Sequence, residues 1–203
     1  MMKVSRWCGL LTGPLFIAAF FVLGAVRDNY NPMRHPVSAL SLGPWGWTAS
    51  LAFGVCGTLG LIFAAGLWRA GGMVAAILVG LWAIGLLGLG LFDTDPVSGF
   101  PPGQPVPPDT TFHSTLHNLF SILVLLGLTA ACFVFAGERG WLWMGYSLAS
   151  GLVFGVAFMV AGSGFAQAPN LVDIGGLWQR IAIVVGWTWL TVLAFLSKEL
   201  SSA

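Results

Sequence analysis

Charged residues are scarce in this sequence. Only 7% of its 203 residues are Asp, Glu, Lys or Arg, against about 25% in a typical soluble domain. So few charges could not cover the surface of a water-soluble domain of this size, which excludes that class. The net charge of +1 also leaves no basic surface for nucleic acid. Because 57% of the residues are hydrophobic, lipid is the expected solvent for most of the surface.

Cysteine is scarce too. Cys8, Cys56 and Cys132 each lie inside an apolar run, and no two of them share a short spacing. This pattern excludes a disulfide framework and a thiolate metal site, and it is typical of small core residues.

Acidic residues are absent from the middle of every long apolar run. A membrane-spanning helix needs about 20 apolar residues, and the sequence has six runs of that kind. They cover about 6–26, 45–68, 71–92, 113–136, 141–163 and 177–197. We therefore predict an all-α, six-helix transmembrane bundle that forms a single integral membrane domain over residues 1–203.

The links between these runs predict the orientation in the membrane. Two links are short turns, and the other three are long and fall on the opposite side. The side of the short turns and the termini carries five basic residues: Lys3, Arg6, Arg69, Arg139 and Lys198. The side of the long links carries three basic residues and all five aspartates. The positive-inside rule then places both termini in the cytoplasm and the long links outside the plasma membrane.

Polar residues recur every fourth position at the start of the fourth run: Asp109, His113, His117 and Ser121. On a helix that begins near Pro108 they would form a polar ladder on one face. We predict that Asp109 and Thr110 cap this helix.

A histidine pair at i and i+4 can supply two imidazole ligands to zinc, which also needs a third protein ligand and an open position for water. We predict a zinc site formed by His35, His113 and His117, with Asp93 and Asp95 as the other candidates for the third ligand. The catalytic candidates are Asp93 and Asp95, which end the third run, and Ser38, which follows His35 closely. The alternatives are a metal-free polar or catalytic cluster and a structural role, in which the histidines bind an aspartate or interfacial water.

Three further residues are candidate ligand-binding groups. Arg34 and Arg180 could hold the phosphate or carboxylate of a lipid headgroup, because a guanidinium binds such groups with two parallel hydrogen bonds. Asp109 would lie at the outer end of the ladder beside the same ligand. The alternative for Arg180 is a structural ion pair, with Asp173 or an aspartate at the end of the third run.

The stretch "YNPMRHPVSALSLGPWGW" resembles the domain of unknown function 998 family of multi-pass membrane proteins. The segments "FDTDP", "HSTLHN" and "GLWQRI" fit the same pattern, so the resemblance covers nearly the whole chain. It implies a six-helix integral membrane domain and brings no established activity.

The HxxxH pair also gives a weaker likeness to the alkaline ceramidase and adiponectin-receptor group of membrane hydrolases. That group surrounds zinc with such a pair, another histidine, an aspartate and a serine. It differs in having seven helices, with the pair in the last one, so the likeness concerns the site's chemistry and not the fold.

These residues are compatible with two functions. The first is a metal-dependent hydrolase that acts on a membrane lipid or amphiphile at the outer leaflet, where the metal would activate water. The second is a non-enzymatic protein that binds a lipid or small amphiphile, or docks a partner. A transporter is disfavoured because no charged residue lies at mid-membrane. A haem protein would need His35, since neighbours on one helix cannot ligate both faces of a haem.

Overall fold

The computed structural model describes residues 2–197, excluding the side chain of Met2. Six α-helices follow one another: α1 Met2–Val26, α2 Trp47–Arg69, α3 Met73–Leu91, α4 Phe112–Val134, α5 Trp141–Phe165 and α6 Gly175–Leu196. Two short 3₁₀ helices, Val37–Ser41 and Phe135–Glu138, lie in the first and fourth links. Residues 2–197 contain no β-strand, and the predicted all-α, six-helix fold is confirmed.

All six helices are long and apolar enough to cross a membrane. Between 28% and 50% of each apolar window is buried inside the bundle. The remaining outward surface carries large apolar side chains such as Leu126 and Leu152, which are 59% and 60% exposed. A surface of this kind requires lipid around it. The chain is therefore an integral multi-pass membrane protein.

The helices form a ring in chain order. Each helix packs against the next, α6 returns to α1, and α6 also touches α4 across the ring. Aromatic side chains fill the centre, where Trp187 lies 5.3 Å from Phe16 and 5.2 Å from Trp82 between ring centroids. Large rings suit this position because they fill the space that the surrounding helices leave open.

Two turns join helices at what we call the short-turn end, which holds residues 70–72 and 135–140. Gly71 and Gly140 have φ values of +85° in these turns, a conformation that favours glycine. The other three links, residues 27–46, 92–111 and 166–174, lie together at the opposite end of the bundle. We call this the loop end.

Candidate functional site

The first link folds down into the loop end. Its 3₁₀ helix, Val37–Ser41, is buried at every residue. The start of α6 holds it there: Leu177 N–H donates to the Met33 carbonyl at 2.9 Å, and Val37 N–H donates to Gln179 Oε1 at 2.7 Å. The first link, which carries most of the family resemblance, is therefore packed into the loop end of the bundle.

Arg180 binds the inserted link from inside α6. It is only 8% exposed, and its guanidinium donates to the carbonyls of His35 (3.2 Å) and Gly176 (2.9 Å) and to the Tyr30 hydroxyl (2.5 Å). The ring of Tyr30 also lies 5.5 Å from the charge. No carboxylate among the described residues lies within ion-pair distance of Arg180, so the alternative of an ion pair with an aspartate is wrong. Carbonyls, a phenol and aromatic rings stabilise this buried cation.

Asp173, which was a candidate partner of Arg180, forms an ion pair with Arg34 instead. Arg34 Nη1 lies 2.5 Å from Asp173 Oδ1, and Arg34 Nε donates to the Ser98 carbonyl at 2.9 Å. Arg34 thus joins all three links of the loop end. A ligand-binding role for Arg34 or Arg180 stays a prediction.

His35 is fully engaged within the protein. Its Nδ1 accepts a hydrogen bond from Asn31 N–H at 2.9 Å, so the proton of the neutral ring lies on Nε2, which donates to the Ser98 carbonyl at 3.3 Å. Burial lowers the pKa of His35, and the charges of Arg34 and Arg180 lower it further, against the opposing effect of the Ser98 carbonyl. Neither nitrogen is free to ligate a metal.

The two histidines of α4 have different surroundings. His113 is exposed and lies edge-on to Phe92, with 5.7 Å between ring centroids. His117 is 4% exposed, and its Nδ1 lies 2.8 Å from the Phe92 carbonyl. Because a carbonyl can only accept, Nδ1 carries a proton and Nε2 of the neutral ring carries a lone pair. The predicted pair therefore provides one enclosed imidazole.

The start of α4 differs from the prediction. The helix begins at Phe112, and the Thr111 side chain caps it by accepting from Ser114 N–H at 3.2 Å. Asp109 is exposed and lies before the helix, so it is not part of a helical ladder. The Thr111 hydroxyl can reach a free N–H of the first turn. The helix therefore begins directly after Thr111, and the proline-rich link ends there.

The two aspartates that follow α3 also differ. Asp93 is exposed. Asp95 accepts hydrogen bonds from Thr111 N–H (3.0 Å) and the Thr111 hydroxyl (2.7 Å), so it binds the end of α3 to the cap of α4. A catalytic role for either carboxylate stays a prediction.

The predicted zinc ligands do not fit a metal ion. Within residues 2–197 no group of three His, Cys, Asp or Glu side chains lies close enough together to hold one. His35 has both nitrogens engaged by the backbone, and His113 is exposed. Zinc binding stays a prediction without a ligand set in this geometry.

A cleft of about 500 Å³ opens at the loop end between α4 and α5. Towards the short-turn end these helices touch: a Cβ on Gly151 would lie 2.8 Å from Cys132 Cβ. Three turns further along α5, Gly162 has no atom within 4 Å of such a Cβ. The helices therefore diverge, and we call the space between them the α4/α5 cleft.

Polar side chains from four elements line this cleft. They include Ser38, Asp95, His117, Asn118, Ser121 and Gln179, beside apolar walls such as Phe158 and Phe165. A smaller space of about 30 Å³ continues below His117 and Ser121 towards Trp187. Of the nine predicted site residues, three line the cleft (Ser38, Asp95 and His117) and six do not.

Residues 10–196 match the family described as protein of unknown function (DUF998). This match covers most of the chain. The chain belongs to the DUF998 family. The predicted family resemblance is thereby confirmed. No curated protein and no solved structure matches the chain, so the weaker likeness to ceramidases has no support beyond the HxxxH pattern.

Sequence reasoning missed two residues of the cleft in this DUF998 protein, Asn118 and Gln179. Asn118 follows His117 and Gln179 precedes Arg180, and both of these neighbours were predicted site residues. The available signal was an amide side chain inside an apolar helix, where an unpaired polar group is costly. Tyr30 was missed as well, since nothing local marks it as the partner of a buried arginine.

Proposed function

We propose that this protein binds a lipid-like amphiphile in the α4/α5 cleft, without chemical turnover. The observation that carries the proposal is the divergence of α4 and α5 over a polar floor. The headgroup lies among His117, Ser121 and Gln179, and the apolar chain leaves between the two helices into the surrounding lipid.

The size and composition of the cleft support this proposal. Its volume of about 500 Å³ falls within the range of roughly 300–1,000 Å³ that is usual for small-molecule sites. Apolar walls with a few convergent polar groups are the general character of such sites. A soluble polar ligand would leave walls such as Phe158 and Phe165 without an apolar partner, whereas an amphiphile covers them.

Binding is favoured over hydrolysis by the contacts of the candidate catalytic groups. The zinc ligands do not come together, and no hydrogen bond joins His117 Nε2 to a serine hydroxyl anywhere in residues 2–197. Asp95 already accepts two hydrogen bonds from Thr111. Among the described residues that line the cleft, no serine hydroxyl donates a hydrogen bond to His117 or Asp95, the pairing by which a base activates a serine nucleophile in covalent hydrolysis.

We further propose that the loop end faces outwards from the plasma membrane. Lys3, Arg6, Arg69 and Arg139 belong to the short-turn end or its helix termini. Lys198, the fifth basic residue of that group, lies outside the described residues. Basic residues concentrate on the cytoplasmic side of membrane proteins, which puts the cleft in the outer leaflet.

Lipid retained by the purified protein tests the proposal. Gly162→Trp places a large side chain into the cleft mouth, while Gly145→Trp places the same side chain on the outer face of α5, where no atom lies within 4 Å of a Cβ. We expect mass spectrometry to find an amphiphile bound to the wild type and to Gly145→Trp, and lost from Gly162→Trp. Equal lipid content in all three would contradict the proposal, and recovery of a cleaved lipid would support the hydrolase.

A further inference from the structure

We infer that the α4/α5 cleft selects an uncharged lipid whose headgroup carries a free hydroxyl, such as an acylglycerol or a long-chain alcohol. This inference rests on the proposed function and names the chemical class of its ligand. It follows from hydrogen-bond donors and acceptors that face the cleft without a partner among the described residues, and from the charges of the side chains that line it.

The acceptor is His117. Its Nδ1 donates to the Phe92 carbonyl, 2.8 Å away, which leaves the lone pair of the neutral ring on Nε2. His117 lines both the cleft and the smaller space below it, and within residues 2–197 its Nε2 has no hydrogen-bond partner. An enclosed acceptor of this kind favours a ligand that donates a proton, and a hydroxyl does so.

The donor is Gln179. Its Oε1 accepts from Val37 N–H at 2.7 Å, which fixes the orientation of the amide, so the NH₂ group is the part left to bind a ligand. The Ser38 and Ser121 hydroxyls also line the cleft. Gln179 can therefore donate to the hydroxyl oxygen or to an ester carbonyl while His117 accepts the hydroxyl proton.

Charge excludes an anionic headgroup. No Lys or Arg is among the described residues that line the cleft, and its one carboxylate belongs to Asp95. Arg34 and Arg180, the nearest candidates by sequence, are bound to Asp173 and to the carbonyls of His35 and Gly176 instead. A phosphate would meet a carboxylate and no cation, which is unfavourable in an apolar site.

Three lipids that differ only in the headgroup test the inference. They are a diacylglycerol, its acetate ester, which lacks the hydroxyl, and the corresponding phosphatidate, all with brominated acyl chains that quench fluorescence. The protein carries an environment-sensitive fluorophore on Ser163→Cys, an exposed site next to the cleft-lining Gly162, or on Gly145→Cys at the lipid-facing control position, and the native cysteines are buried. Each lipid is titrated into phosphatidylcholine nanodiscs.

We expect saturable quenching at residue 163 by the diacylglycerol, at a mole fraction about tenfold lower than its acetate requires, since one hydrogen bond in an apolar site separates them. We expect phosphatidate to quench no more than its mole fraction in a randomly mixed bilayer would produce. The probe at residue 145 should respond in proportion to mole fraction for all three lipids.

Two variants test whether His117 and Gln179 produce the selectivity. His117→Asn keeps an amide N–H for the Phe92 carbonyl and removes the Nε2 acceptor. Gln179→Glu keeps an acceptor for Val37 N–H and removes the donor. We expect either change to abolish the preference for diacylglycerol over its acetate, while the probe remains quenchable by saturating lipid.

The outcomes separate this inference from the proposed function. Saturable quenching at residue 163 that is equal for the three lipids, or strongest for phosphatidate, would overturn the selectivity and leave amphiphile binding intact. Quenching at residue 163 that is proportional to mole fraction for every lipid, as at residue 145, would overturn both. A preference that survives both variants would overturn the assignment to His117 and Gln179.

Discussion

At the scale of single residues, the polar groups of the loop end divide into two sets. Arg34, His35 and Arg180 bind backbone carbonyls, a tyrosine and one aspartate, and they hold the inserted first link in place. His117 and Gln179 each use one side-chain atom within the protein and leave another towards the cleft. The second set therefore offers atoms that can bind a ligand in the cleft.

Arg180→Lys should destabilise the protein, because an ammonium cannot reach the carbonyls of His35 and Gly176 and the Tyr30 hydroxyl together. We expect a loss of about 1–3 kcal/mol, measured as thermal unfolding in detergent by near-ultraviolet circular dichroism. Arg69→Lys, at an exposed site at the end of α2, is the matched control, with an expected change within about 0.5 kcal/mol. Equal effects of the two substitutions would contradict a structural role for Arg180.

His35 should make stability depend on pH. Its pKa is lowered in the folded protein, first by burial and then by Arg34 and Arg180, so the unfolded chain binds the proton more readily. The stabilisation is then complete above the unfolded pKa of about 6.5 and is lost as pH falls from there towards the folded value. The melting temperature of the wild type should fall on acidification through this range.

The non-titrating variants His35→Asn and His35→Gln should both lack this part of the pH dependence, although they preserve different hydrogen bonds. If the slope of melting temperature against pH stays as in the wild type in both variants, another group is responsible.

At the scale of elements, the start of α6 and the first link approach so closely that a side chain does not fit between them. A Cβ on Gly176 would lie 2.6 Å from the carbonyl oxygens of His35 and Pro32. This contact lets Leu177 and Gln179 bind the link, and thereby shapes one wall of the cleft.

Gly176→Ala should therefore cost about 1–3 kcal/mol through overpacking. Gly145→Ala adds the same methyl group to α5 where nothing lies within 4 Å, and it should be neutral or stabilise by up to about 1 kcal/mol through helix propensity. Thermal unfolding of the pair measures the difference. A melting temperature for Gly176→Ala equal to that of Gly145→Ala would argue against the close contact.

The helices could be predicted from the sequence, but the cleft could not. Apolar runs of sufficient length identify the six spans, because the bilayer sets their length and composition. The partners of His35 and Arg180 lie 63 and 150 residues away in the chain, at Ser98 and Tyr30. Pairing over such separations depends on how the links fold together, and no local periodicity carries it.

The histidine pair shows the same limit. The spacing of His113 and His117 correctly indicated neighbouring positions on one helix. It could not indicate that the Phe92 carbonyl binds one ring, nor that α5 diverges beside it. Because of these contacts, His117 lines the cleft and His113 does not.

At the scale of the whole molecule, the asymmetry between the two ends predicts the orientation. Gln104 lies in an exposed loop-end link and Ala70 in an exposed turn at the short-turn end. With the three native cysteines buried, a membrane-impermeant maleimide should label Gln104→Cys and leave Ala70→Cys unlabelled in sealed right-side-out vesicles. The reverse pattern would place the loop end and the cleft on the cytoplasmic side.

Photolabelling tests the occupation of the α4/α5 cleft most directly. A diacylglycerol with a photoactivatable, clickable acyl chain is added to the protein in phosphatidylcholine nanodiscs, and labelled residues are mapped by mass spectrometry. We expect adducts on Ser121 and Phe158 in the cleft that excess unlabelled diacylglycerol removes, and adducts on lipid-facing Leu126 and Leu152 that fall only in proportion to dilution. Adducts that respond equally to the competitor at all four positions would show that the cleft is ordinary lipid-exposed surface.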